Sequence, residues 1–538
     1  MSNASATPAG PATEGTPANA KKVLLALILS AGVANLNLAV ANVALPTIGD
    51  AFDASQTELN LIAVGYSLGL AASVLYFGAI GDRYGRKMML VAGLGLSVVA
   101  SLVAAWAPNP EVLFGARVVG GLSAGMAYPT TLALITALWT GAARTRAIAL
   151  WSAMGGGLSM LGPLLSGLSL QHWWWGSVFL LALPLVVVAL PMVTTNVPAH
   201  VAEQSEKIDN LGGVLSIFLV GSLILSINFM PVSGAQKAAL GLLLLAIVLA
   251  VLFVLRQRRA ANPLYDLKVA ARPTFWVAAT AGIIVFGSLM GAAFVSQQFL
   301  QNVLEYDSVA AGAAILPAVF CMILVAPRSA KLVESKGSRQ TLLTGQAAVL
   351  LAFLTMFLLW GETSSYWVIG FAYVFLGIGV GLAGTPSSNS LTGSVPVTRV
   401  GMASGTADLQ RDLGGALMQS IFGALLTAGY ASAMATAIGT SPQADQITSA
   451  TQAQLTKSFA GAEATAAQFP QYTSEITAAA RESFLQGDKL AYAAGIVAVL
   501  VGAALVAKFY PRHEEEKRLR QQYAEESQQL AAAQQSAD

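Results

Sequence analysis

The sequence predicts an all-α polytopic membrane protein of fourteen transmembrane helices, and three observations predict it. Of the 538 residues, 55% are hydrophobic and 10% charged, with a mean hydropathy of +0.64; a soluble domain carries about 25% charged residues. A chain this long and this apolar cannot hide its apolar surface in one globular core, so it needs a bilayer. The apolar residues also gather into runs of the roughly 20 residues that a helix needs to cross hydrocarbon. Finally, basic residues crowd into every second connection between those runs.

The runs fall at 23–46, 59–80, 88–107, 112–138, 147–168, 178–195, 211–230, 238–255, 275–301, 309–327, 341–360, 366–393, 404–430 and 488–509. With the N-terminus placed in the cytoplasm, the inner short connections carry Arg83, Arg86, Lys87, Arg144, Arg146, Arg256, Arg258, Arg259, Lys268, Arg272, Lys331, Lys336 and Arg339. The outer ones carry almost none, Lys237 being the exception. This is the positive-inside asymmetry, and an odd number of helices would scramble it. The expectation is a multi-pass protein of the cell membrane with both termini cytoplasmic. The 51 glycines suit close helix packing in lipid.

Residues 1–20, with Glu14 as their one charge, read as a disordered tail. Lys21 and Lys22 then precede an apolar run too long for a cleaved signal peptide, which is expected to stay as the first helix. Residues 431–487 form a long outer segment rich in Ala, Thr, Ser and Gln, whose partner the sequence does not name. Residues 510–538 read as a charged helical tail.

Several functional classes fall away on composition. A net charge of +2 gives no basic field for nucleic acid. One cysteine, Cys321, excludes an intramolecular disulfide and a cysteine metal cluster. His172, His200 and His513 lie far apart, and no phosphate-binding Gly-x-x-x-x-Gly-Lys-Ser/Thr loop exists to drive an ATP-powered pump. No cofactor, metal or enzymatic activity is expected; the expected partners are the lipid bilayer, a small-molecule substrate and protons as the coupling ion. A non-transporting membrane sensor or scaffold is the remaining alternative class.

Charges inside the apolar runs are costly and mark function by default. Arg117 lies in the fourth run, and Asp408, Arg411 and Asp412 in the thirteenth. Asp408 and Asp412, four apart, share a helical face, and Arg411 can pair with Asp408. Two carboxylates beside one cation suit a proton relay, provided the helix starts near 404; a start near Leu413 would leave them in cytoplasmic water. Arg117 could hold an anion, a carboxylate or a proton pathway, or be a structural cation bonded to backbone carbonyls. Asn35, Asn37 and Asn42 in the first run, Gln297 and Gln301 in the ninth and Asn389 in the twelfth could line a cavity or bond helix to helix. The aromatics Tyr66, Tyr128, Trp151 and Tyr373 are candidate substrate contacts.

Several of these stretches resemble the major facilitator superfamily. Gly81-Asp82-Arg83-Tyr84-Gly85-Arg86-Lys87 resembles its signature loop between helices 2 and 3, whose Asp and Arg residues hold the cytoplasmic side together until the halves rock. Arg117-Val118-Val119-Gly120-Gly121 resembles the helix 4 motif associated with proton coupling. Gly157 to Gly167, with Gly162 and Pro163, resembles the helix 5 antiporter motif, two glycines being replaced by Leu158 and Ser166. Leu36 to Pro46, Phe299 to Pro317 and Gly401 to Gly415 resemble the fourteen-helix drug:proton antiporter branch.

The resemblance implies two six-helix bundles, 21–195 and 274–509, with two inserted helices in 196–273. It implies substrate binding between the bundles with alternating access. The function so implied is secondary active export of small molecules by proton antiport, as in multidrug efflux. One departure stands out: the drug exporters usually have an acidic residue where this chain has Asn37. Either Asp408 and Asp412 supply the titratable group, or the chain moves neutral or anionic compounds without proton coupling.

Overall fold

A computed structural model of the chain describes residues 17, 19–139, 141–199, 208–232, 234–395 and 400–535. The expected tail 1–20 lies almost wholly outside the described residues, as does the stretch 200–207. No strand occurs among the described residues.

The first bundle comprises α1 (Ala20–Ala39), α2 (Ala41–Phe52), α3 (Gln56–Tyr84), α4 (Arg86–Ala105), α5 (Pro110–Leu138), α6 (Gly141–His172) and α7 (Leu183–Asn196). The inserted pair is α8 (Asn210–Phe229) and α9 (Gln236–Arg259), followed by the short α10 (Leu267–Ala270). The second bundle holds α11 (Pro273–Asn302), α12 (Ser308–Ala314), α13 (Leu316–Lys336), α14 (Ser338–Leu359), α15 (Tyr366–Thr392), α16 (Val400–Thr440) and α19 (Thr473–Phe509). Two short helices, α17 (Ser449–Lys457) and α18 (Phe459–Gln468), join α16 to α19, and α20 (His513–Gln535) ends the chain.

Local chemistry sets many of the boundaries. Ser55 and Glu58 form a reciprocal capping box at the start of α3. Asn109 caps α5, with Pro110 at its first turn. Gly85, at φ 119°, makes the turn between α3 and α4 that a residue with a Cβ rarely adopts.

Thirteen described segments are long and apolar enough to cross a bilayer. The remaining expected span, 147–168, falls in the 32-residue α6. Three expected boundaries need correction. The first span, 23–46, is two helices bent at Val40, whose carbonyl accepts the Ser166 hydroxyl at 2.7 Å, and it runs on to Phe52 past Pro46. The thirteenth, 404–430, extends over 41 residues from Val400 to Thr440. The last, 488–509, begins at Thr473. Hydropathy stops at the membrane edge, but these Ala-rich sequences carry high helix propensity beyond it. The outer segment 431–487 is therefore mostly the ends of α16 and α19 with α17 and α18 between them.

The inserted pair is clasped by Asp209, which accepts from Arg256 at 2.8 Å and from Gln257 at 3.0 Å. Helix α9 leaves Leu244, Ile247, Val248 and Val251 exposed, apolar surface that suits lipid. The terminal α20 folds back on the second bundle. Its Glu516 accepts from the Ser338 N–H at 3.1 Å and the Ser338 hydroxyl at 2.6 Å, placing negative charge at the start of α14. Arg272 pairs with Glu526 at 2.8 Å and lies 3.9 Å from the Tyr523 ring centroid.

Candidate functional site: buried charges between two bundles

Because α16 begins at Val400, Asp408, Arg411 and Asp412 sit inside a spanning helix, with Asp408 and Asp412 buried. Asp408 lies about 12 Å along the helix from its start. Arg411 faces Asp412, Nε to Oδ1 at 3.6 Å, and not Asp408 as the three-residue spacing suggested. That separation is an ion pair without a hydrogen bond; neither Asp412 oxygen has a hydrogen-bond partner. The other face of the guanidinium lies 4.6 Å from the ring centroid of Tyr128, on α5 of the first bundle. Tyr128 packs on Trp151 at 5.5 Å, and the Trp151 indole donates to Thr131 at 3.1 Å. The trio thus joins the two bundles through one cation and carries two carboxylates for that cation, one negative charge in excess.

Arg117 is differently held. It donates to the Asn37 carbonyl at 2.7 Å and the Ile62 carbonyl at 3.3 Å, with Tyr66 and Phe179 rings 4.9 and 5.6 Å from its Cζ. Its Nη2 is unpartnered. Asn37, Tyr66, Ser97, Ser101 and Arg117 line one small cleft within the first bundle. The hydrogen bonds of Arg117 stay within the first bundle, but Tyr66 is in electrostatic reach of Asp412 as well as of Arg117, so the two charged sites adjoin through this ring.

The signature loop lies at the face that carries the basic connections. Arg86 forms a two-nitrogen bridge to Asp82 at 2.8 and 2.9 Å and reaches the Ala133 carbonyl at 3.4 Å. Lys87 donates to the Thr194 and Val197 carbonyls, both at 2.7 Å, satisfying the end of α7. These bonds of Asp82, Arg86 and Lys87 stay within the first bundle. Arg83 lies 5.4 Å from the Tyr84 ring, and Gly81 packs against Met89.

On the opposite face the bundles are in close register. A Cβ at Gly167 would lie 2.3 Å from the Ser308 carbonyl oxygen, and one at Gly312 would lie 2.4 Å from the Pro163 carbonyl oxygen. Gly162 meets Ala39 of α1, and Gly157 lies within α6. The helix 5 motif is thus wedged between α1 and α12. Gln56 donates to Gln298 at 2.9 Å, Asn60 to Thr427 at 2.9 Å and Gln301 to the Val43 carbonyl at 3.1 Å, each bond crossing between bundles. Asp53 pairs with Lys457 at 2.9 Å, clipping the connection after α2 to α17. The Lys457 hydrogen bond holds the Asp53 carboxyl below its usual range.

The other expected cavity residues scatter. Asn35 and Asn42 are buried in the first bundle. Gln297 donates to the Ala311 carbonyl at 2.9 Å, and Tyr373 to Ser296 at 2.7 Å inside the second bundle. Asn389 lies near the end of α15 on the basic face. Sequence reasoning missed the Gln56, Asn60 and Thr427 links, because a polar side chain at a helix end looks solvated until its partner is placed. It also passed over Asp488, whose carboxylate is buried 1% exposed in α19. An acid within a run of small and apolar residues was the available signal.

The sequence profile of the Major Facilitator Superfamily matches residues 27–419. The chain is 33% identical over 505 residues to the multidrug efflux pump LfrA of Mycolicibacterium smegmatis, covering 93% of this chain and 98% of that one. It is 30% identical to the drug efflux pump JefA of Mycobacterium tuberculosis, covering 87% and 92%. It is 29% identical to the methyl viologen resistance protein SmvA of Salmonella typhimurium, covering 74% and 81%. Among solved structures it superposes on a bacterial homologue of the human lysosomal transporter Spinster, inward-facing and unoccupied, with a TM-score of 0.61 at 15% identity, covering 94% of this chain and 99% of that one.

Proposed function

We propose, from the premise that this chain belongs to the major facilitator superfamily and is a membrane transporter and not an enzyme, that it exports small organic compounds across the cell membrane by proton antiport. The observation that carries the reading is the charged trio on α16. Two carboxylates with one guanidinium leave a surplus negative charge in a low-dielectric interface, where an uncompensated charge costs a few kcal/mol or more. One proton removes that surplus. Protonation of Asp408 or Asp412 weakens the pull of the acids on Arg411 and changes its hold on Tyr128 across the bundle interface. A charge change is thereby converted into a change in how the bundles meet.

The basic connections belong inside by the positive-inside rule, so both termini are cytoplasmic and the face sealed by Gly167, Gly312 and the Gln56–Gln298 bond is extracytoplasmic. A proton entering from outside favours this outward-closed arrangement; substrate entering from inside favours release of the proton. The efflux-pump names of the relatives support an organic-compound substrate.

The test uses inside-out vesicles with an imposed pH gradient and a panel of cationic, neutral and anionic compounds. Some compound is expected to dissipate the gradient, and Asp408→Asn with Asp412→Asn is expected to stop it. A second reading, uncoupled export of neutral or anionic compounds, is favoured by Asn37 and by the free Nη2 of Arg117. Exchange of labelled compound without any gradient dissipation would replace the first reading by the second.

A further inference from the structure

Asp488 is a buried acid that the mechanism above does not use. It lies about fifteen residues inside α19, and the ~32 Å from it to Phe509 matches the thickness of the hydrocarbon layer. It therefore sits near the membrane edge on the face opposite the basic loops. The carboxylate is 1% exposed, and neither oxygen has a hydrogen-bond partner.

Among the described residues no cation pairs with it. One turn along the same helix, the Tyr492 hydroxyl is buried and also unpartnered. Trp360, at the end of α14, packs on Tyr492 at 5.7 Å with its indole N–H unpartnered. Behind them Tyr373 of α15 is committed to Ser296 of α11. On α16, which packs against α19, the Tyr430 hydroxyl donates to the Leu455 and Ser458 carbonyls at 3.0 and 2.9 Å. On α11, Gln297 donates to the Ala311 carbonyl and Gln298 accepts from Gln56, and α18 carries the acid Glu463. The basic residues nearby in sequence point elsewhere: Arg481 pairs with Glu305, and Lys489 is one residue around the helix. Helices α16 and α19 close over the site at Gly429 and Gly487, where a Cβ on Gly429 would lie 2.7 Å from the Gly487 Cα.

We propose that Asp488, lined by Tyr492 and Trp360, is a second proton-binding site, loaded from the extracytoplasmic side and separate from the trio on α16. The inference rests on the proton-antiport reading. A bare carboxylate sealed among apolar and aromatic groups is expensive. With no cation paired with it among the described residues, a single proton neutralises it, converting carboxylate to carboxylic acid with no other change. The small-residue crossing at Gly429 and Gly487 lets α16 and α19 slide, so the motion that exposes the trio to one face also alters access to Asp488. The site then carries a proton of its own in each cycle.

The experiment uses the full chain in proteoliposomes. Dicyclohexylcarbodiimide, which attacks protonated carboxyl groups in apolar surroundings, is applied at acidic to alkaline pH and the adducts are mapped by peptide mass. An adduct at Asp488 that declines as external pH rises is expected. In parallel, protons released per substrate exported are counted for wild type, Asp488→Asn, Asp488→Glu and Tyr492→Phe. Asp488→Asn is expected to lower the count by one per cycle while keeping substrate binding; Asp488→Glu restores it, and Tyr492→Phe keeps the count but shifts its pH profile. Should Asp488→Asn fail to fold, the adduct and the other two variants decide. Absence of an adduct at Asp488, or a proton count unchanged in Asp488→Asn, overturns the proposal while Asp408→Asn still reports on the antiport reading. A wild type with no substrate-driven proton movement overturns that reading, and this proposal with it.

Discussion

Arg117 and Arg411 each stand inside a spanning helix, one in each bundle, and their surroundings differ in kind: Arg117 is buried and Arg411 is partly exposed. Arg117 in α5 is held by two backbone carbonyls and two aromatic rings of its own bundle. Arg411 in α16 stands 3.6 Å from a carboxylate that makes no hydrogen bond, and rests on an aromatic ring of the other bundle. Backbone carbonyls cannot change charge, so the groups that Arg117 is hydrogen-bonded to are the same whatever the proton supply. Carboxylates can, so the field at Arg411 depends on protonation. On the proton-antiport reading, the first arrangement fixes a helix in place and the second is a contact between moving parts whose strength a proton can set.

The acids give the largest expected difference. Replacing Asp408 and Asp412 together by Asn should cut pH-driven export by about tenfold or more, the equivalent of 1.4 kcal/mol, with little change in melting temperature. Isotope uptake in vesicles and thermal unfolding in detergent measure the two. Arg117→Ala should do the reverse. It orphans the Asn37 and Ile62 carbonyls and costs about 2 kcal/mol or more of stability. The surviving folded fraction should still couple to the gradient. If Arg117→Ala folds normally and loses coupling, the contrast between the two arginines is wrong.

The next effect concerns the wedge between bundles. Gly167→Val places methyl groups where the Ser308 carbonyl already lies, a steric cost of about 1–3 kcal/mol in a packed contact. The closed face pays that cost and an open one does not. The variant should therefore favour the open state, read as faster thiol labelling of a cysteine placed at Gln298. Unchanged labelling would mean the wedge is not part of the closure.

Much of this architecture is written in the sequence because lipid imposes simple rules. Twenty apolar residues and a basic bias on one face are readable without partners, so helix number and the buried position of Arg117 could be read directly. Helix ends were less legible: α16 and α19 run past the membrane, where hydropathy carries no signal. The site was legible in its charges but not in its pairings. The spacing of Asp408 and Arg411 allows a bond, yet Arg411 faces Asp412 and Tyr128, and Tyr128 lies in a helix about 280 residues earlier, beyond what helical periodicity can relate. The cross-bundle amides stayed hidden for the same reason, since Gln56 and Gln298 acquire meaning only as a pair.

The smallest effect separates the outer segment from the membrane core. Asp53 and Lys457 clip α17 to the first bundle, and that hydrogen bond lowers the Asp53 carboxyl from 3.8. A lowered acid contributes stability that is present above 3.8 and is lost as pH falls through the lowered value. Glu463 in α18 has the opposite sign: burial, then the Asp50 charge, push it above 4.5, so its contribution is present at acidic pH and lost as pH rises. Hydrogen exchange over residues 449–468 should therefore speed up at both ends of the pH range. Asp53→Asn should remove the acidic limb and Glu463→Gln the alkaline one. An exposed pair is worth about 0.5 kcal/mol, so each limb should be shallow and should fade with added salt. Transport driven by the trio on α16 should hardly respond to Asp53→Asn. A large transport defect there would make the outer segment a working part of the cycle and move the boundary between scaffold and machinery outward from α16.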